Sequence, residues 1–149
     1  MPGRLGLLLR REEIPLIKHH PCPAGMPSST GYSQVTVASG VLAHISGQMP
    51  VRPDGTPVLG SAAAQGEQVF QNLSAALEAV GASWSQVVKM NFYLRDMADL
   101  EHVRAVRDRY VDPQHLPASS LVQVAGLVHP DFRLEVDATV ALDADAADG

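Results

Sequence analysis

The clearest pattern in this chain lies near its end. Phe132, Leu134, Val136, Ala138, Val140 and Leu142 alternate with Arg133, Glu135, Asp137, Thr139 and Ala141. Successive side chains of a strand point to opposite faces, so this period of two predicts a strand with one buried face. Val88, Met90, Phe92 and Leu94 alternate with Lys89, Asn91 and Tyr93 in the same way. Gln34–Ala38 and Val41–Ser46 read as two more strands around Ser39-Gly40, and a hairpin is expected of them. In the second, Val41, Ala43 and Ile45 point one way, and Leu42, His44 and Ser46 the other. Leu121–Ala125 is a further extended piece.

Between the strands the period changes. Val69, Leu73, Ala76, Leu77 and Val80 recur at helical spacing, with Ser61 placed to cap the helix and Gly81 to end it. Leu100, Val103, Val106 and Tyr110 form the stripe of a second helix, capped by Asp96 or Asp99 and ended by Asp112-Pro113. Val51 to Gly60 holds Pro53, Asp54, Gly55 and Pro57, which is turn chemistry. The order β-β-α-β-α-β-β predicts an α+β fold, one mixed sheet with two helices packed on one face. Leu134 and Val136 should lie under those helices. The other face would carry Leu42, Tyr93, Leu121 and Ala141, and an apolar face without a covering helix usually meets a partner subunit. A homo-oligomer is therefore expected.

The ends differ from this core. Residues 1–30 hold Pro2, Pro15, Pro21, Pro23 and Pro27 with Gly25, Ser28, Ser29 and Thr30, and read as an extended arm. The compact domain spans 31–142. Residues 143–149, acidic and Ala-rich, have no period and are expected to fray.

Composition narrows the function classes. A chain of 149 residues is one domain with a real core. A net charge of −5 and 5% aromatic residues argue against a broad nucleic-acid face or a base-stacking platform. No apolar run is long enough to span a membrane, and Leu5–Leu9 is too short for a signal peptide, so a cytoplasmic protein is expected. Cys22 is the only cysteine and reads as an incidental thiol. His19-His20 has no further ligands at suitable spacing, so two surface histidines are expected and no metal or cofactor.

Three short runs carry a more specific message: Gly31-Tyr32-Ser33-Gln34, Ile45-Ser46-Gly47-Gln48-Met49-Pro50 and Pro117-Ala118-Ser119-Ser120-Leu121-Val122-Gln123-Val124-Ala125. With Asn72-Leu73, Val88-Lys89 and Asp96-Met97-Ala98-Asp99-Leu100 in order between them, the chain resembles the Rid family, the YjgF-like reactive intermediate deaminases. The resemblance covers about residues 31–142. It implies a chorismate-mutase-like fold and a homotrimer with small-molecule clefts between subunits. It also implies hydrolysis of 2-imino or 2-enamino acids to 2-keto acids and ammonia.

Carried over by position, the family's cleft tyrosine is Tyr32, its Ser-Gly turn is Ser46-Gly47, and its water-positioning glutamate is Glu135. The family's carboxylate-binding arginine is replaced by Ser119. A serine offers one donor and no charge, so a carboxylate substrate should bind worse or in another pose. Arg104, where some relatives have Asn near the cleft, is a candidate compensation; the alternative is a solvated helix arginine beside Asp108. His129 reads as a loop-surface histidine rather than a base, and neither Ser119 nor Ser120 has a histidine placed to activate it. Three readings follow: a Rid-type enzyme on an imine, enamine or related small molecule, a non-catalytic ligand-binding trimer, and, disfavoured by charge, a ribonuclease or translation inhibitor.

Overall fold

The computed structural model describes residues 16–143. Residues 1–15 of the expected arm and 144–149 of the expected tail lie outside the described residues. The elements are β1 (Ile17–His20), β2 (Val35–Ala38), β3 (Val41–Gln48), α1 (Ala62–Ala79), β4 (Val87–Leu94), α2 (Leu100–Tyr110), β5 (Ala118–Gln123) and β6 (Leu134–Leu142). β3, β6, β4 and β5 form the main sheet in that order. β6 runs antiparallel to both neighbours, whereas β5 is parallel to β4. Parallel neighbours need a long crossover, and α2 lies within that connection.

Both helices cover one face of this mixed sheet, as the period-two strands predict. Val69, Phe70, Leu73 and Leu77 of α1 and Val103 and Val106 of α2 pack with Met90, Phe92, Leu94, Leu134, Val136 and Val140 in one core. Burial of such side chains is worth about 1.5–3 kcal/mol each before entropy. The Ser61 hydroxyl accepts the amide of Ala64, as a helix cap should. Gly81, at φ +68°, and Ala82 return their amides to Glu78 and Leu77 and close the other end. Before the second helix, Asp96 accepts from Ala98 in a short 3₁₀ turn, while Asp99 is held by Arg133 at 3.0 Å.

Three expectations change. The hairpin does not form: β2 pairs with β1 in a separate two-stranded sheet, and β3 pairs with β6. The turning residue Gly40, at φ +97°, sits so close to the Leu142 carbonyl that a Cβ would lie 2.6 Å from it. The chain there is directed across the end of β6 rather than back along β2. β1 falls inside the stretch read as an extended arm. Its His19 is half-buried, not a free surface group, with Nδ1 2.8 Å from the Leu116 carbonyl. Finally, Leu121 pairs with Phe92 and packs on the helix-side core, so it does not lie on the open face. Ala141 is fully buried. Val122, the partner of Tyr93, takes the place of Leu121 on the open face, where it and Leu42 stay about half exposed.

Candidate functional site

A β-bulge sets the first half of the site. Ile45 opposes Ala138 and Gln48 opposes Val136, so β3 carries one extra residue at Ser46-Gly47. Bulges redirect side chains and concentrate near functional sites. Here the bulge brings Gly47 onto Glu135: a Cβ at Gly47 would lie 1.9 Å from Oε1. A side chain at this position would push the carboxylate aside. The loop after the bulge is tied to α1, because Asn72 donates to the carbonyls of Met49 and Val51 at 3.1 and 2.9 Å.

Glu135 projects from the sheet face away from the helices, because Leu134 and Val136 fill the other face. Its neighbours there are polar. Asp137 accepts from Asn91 Nδ2 at 2.8 Å and from the Tyr93 hydroxyl at 2.9 Å. That hydrogen bond, with smaller effects of desolvation and the nearby carboxylates, raises the Tyr93 pKa and keeps its proton in place.

The second half lies elsewhere. Ser33 donates its amide to Pro117 and its hydroxyl to Leu116, at 2.9 and 2.7 Å, which fastens Tyr32 beside the start of β5. Tyr32, Ser119, Arg104 and Arg107 then line a cavity of about 190 Å³ with Thr30, Phe92, Val103 and Leu121. Ser119 opposes Met90 in the parallel ladder and so faces the helix side. Arg104 pairs with Glu101 at 3.1 Å, not with Asp108 as the alternative reading had it. Asp108 is held by Arg107, a cavity residue that sequence reasoning missed.

The structure therefore brings Tyr32, Ser119 and Arg104 together, and Ser46, Gly47 and Glu135 together, but it does not join the groups within one chain. Glu135 opposes Tyr93, and Ser119 lies two strands away, three positions along β5 from Val122, the partner of Tyr93. Strand spacing of about 4.8 Å and a rise of about 3.3 Å put their Cα atoms roughly 14 Å apart, with side chains on opposite faces. His129 stays in its loop, where Nδ1 accepts from Asp131 and the ring stacks on Phe132. No group of three or more His, Cys, Asp or Glu among the described residues is placed to hold a metal, and no described helix is long and apolar enough to cross a membrane.

The sequence pattern of the family described as Endoribonuclease L-PSP matches residues 24–142. The chain belongs to this family, the Rid proteins. It is 37% identical over 111 residues to the mitochondrial protein MMF1 of Saccharomyces cerevisiae, covering 74% of this chain and 75% of that relative. It is 32% identical over 114 residues to the 2-iminobutanoate/2-iminopropanoate deaminase of Escherichia coli, covering 75% and 88%. Among solved structures, the Rid protein YyfB of Yersinia pestis aligns with a TM-score of 0.73 at 27% identity, over 85% of this chain and 99% of that one. Yeast Mmf1 aligns with a TM-score of 0.59 at 34% identity, over 83% and 92%. The chorismate-mutase-like α+β fold of the Rid proteins is thus the fold of this chain.

Proposed function

We propose that this Rid protein hydrolyses a small imine or enamine, and that two subunits of a homotrimer complete each site. The observation that carries this reading is the separation of Ser46-Gly47-Glu135 from Tyr32-Ser119-Arg104 on opposite faces of one sheet. β5 and β3 are opposite edges of that sheet, so a cyclic assembly would set the cavity of one subunit against the bulge of the next. The name of the E. coli relative supports the reaction class, and the cavity size supports a small ligand rather than a nucleic acid.

In this mechanism Glu135 accepts a hydrogen bond from water and takes its proton as the oxygen attacks the imine carbon. The new C–O bond gives a carbinolamine. The proton passes from Glu135 to nitrogen; Glu135 then takes the hydroxyl proton and returns it to the same nitrogen, the C–N bond breaks as the C=O bond forms, and ammonia leaves. Tyr32, the Ser46-Gly47 backbone, Ser119 and Arg104 hold the ligand in the attacking pose.

Ser119 favours a second reading, a trimer that binds a small molecule without consuming it. The deciding experiment follows hydrolysis of freshly generated 2-aminoacrylate by wild type, Glu135→Ala and Ser119→Arg, with oligomeric state measured by light scattering. Turnover in wild type that is lost in a still-trimeric Glu135→Ala upholds the enzyme. A silent wild type with activity in Ser119→Arg would mean an intact scaffold assigned to another ligand. A ribonuclease role would instead need RNA affinity that falls steeply with salt, and the charge of −5 disfavours it.

A further inference from the structure

We infer that Arg107 is the group that binds a ligand carboxylate in this protein, in place of the arginine missing at position 119. The inference rests on the Rid-type reading above for the kind of ligand, and on the local geometry for the residue.

Only 13% of the Arg107 side chain is exposed, against 48% for Arg104, and both line the cavity that holds Ser119 and Tyr32. A half-solvated guanidinium such as that of Arg104 is screened by water. One in the wall of a small cavity keeps more of its attraction for an anion. The orientation of Arg107 is also fixed. Nε and Nη2 both donate to the same oxygen of Asp108, at 2.9 and 2.7 Å. That contact uses the side edge of the guanidinium fork. The end edge, formed by Nη1 and the second hydrogen of Nη2, matches the two oxygens of a planar carboxylate.

The backbone makes room for this arrangement. Gly31, at φ +78°, passes so close that a Cβ there would lie 2.3 Å from Nη2 and 2.9 Å from the central carbon. Tyr32 follows directly, so the turn that admits the guanidinium also places the tyrosine on the cavity. A cavity of about 190 Å³ admits a ligand of a few heavy atoms, below the roughly 300–1,000 Å³ of drug-sized sites. The ligand class is therefore a short monocarboxylate, a 2-imino acid as substrate or a 2-oxo acid as product. The helix has taken over from the strand as the source of the anion-binding fork.

The test uses 2-oxobutanoate and its neutral counterpart 2-oxobutanamide, titrated calorimetrically into the intact protein. Wild type should bind the acid about 10- to 100-fold more tightly than the amide, the worth of a charge-assisted hydrogen bond. Arg107→Gln should bring that ratio to about one, and Arg107→Lys should restore part of it, as a charge without the fork. A wild type with no preference for the acid overturns the inference. So does an Arg107→Gln protein that weakens both ligands equally, which would make the residue structural. Binding is read without turnover, so an acid preference that needs Arg107 upholds the inference even if no imine is hydrolysed. Turnover with a ratio indifferent to Arg107 upholds the enzyme and overturns the inference.

Discussion

The carboxylate of Glu135 occupies the space that a side chain at Gly47 would need, with 1.9 Å between Oε1 and the position of a Cβ. The two residues therefore constrain each other. Gly47→Ala should cost about 0.5–1.5 kcal/mol of stability by forcing the glutamate out of its rotamer. In a Glu135→Ala background the same change should cost under about 0.5 kcal/mol, because its obstacle is gone. Urea denaturation of the four proteins of this cycle measures the coupling. A cost that is the same in both backgrounds would disprove the contact.

Gly31→Ala should be harmful for two reasons. Its φ of +78° is unfavourable for an alanine, and the new Cβ would meet the Arg107 guanidinium. The backbone contribution alone is about 1–2 kcal/mol. The expected result is a lower melting temperature together with weakened binding of 2-oxobutanoate. A melting temperature unchanged from wild type would contradict the geometry.

Gln65 is fully buried on α1, yet polar. Its Nε2 donates to the Asp131 carbonyl at 2.9 Å, and its Oε1 accepts the Arg133 amide at 2.8 Å. Gln65→Leu keeps the volume but strands both backbone groups just before β6. A loss of about 2–3 kcal/mol is expected, read as a lower urea midpoint with an unchanged slope. Gln65→Glu should be no better, since a buried carboxylate can accept the amide but not serve the carbonyl.

Tyr110 and Glu67 link the two helices, and Arg109 joins them. The tyrosine's hydrogen bond is the main influence holding the Glu67 carboxyl below its ordinary value, and Arg109 adds to it. Desolvation first, then Glu67, raises the Tyr110 hydroxyl above its ordinary value. A depressed carboxyl stabilises the fold above the unfolded-state value and loses that contribution as pH falls through the folded one. A raised tyrosine contributes fully below about pH 10 and loses its contribution as pH rises beyond it. Tyr110→Phe should cost about 0.5–1.5 kcal/mol near neutrality and reduce the fall in stability between about pH 5 and pH 3. Denaturation across that range checks both.

The amino-acid sequence by itself determined the layered core. The period-two runs of β4 and β6 and the stripes of α1 and α2 are local patterns, and each buries the face its own period dictates. The resemblance of its short runs to the Rid family also singled out Ser46-Gly47, Tyr32 and Glu135, which the fold sets at the β3 bulge, on the cavity and on the open face of β6. Tertiary structure decided the rest. Whether β2 pairs with β3 or with β1 depends on partners far along the chain and on the crowding of Gly40 against Leu142, which no local period records. Leu121 moved to the core because the register with β4, not the alternation within β5, sets its face. Arg107 went unseen for the same reason. On the sequence it is one more charge beside a helix stripe, and only the passage of Gly31 across its guanidinium turns it into the wall of a cavity.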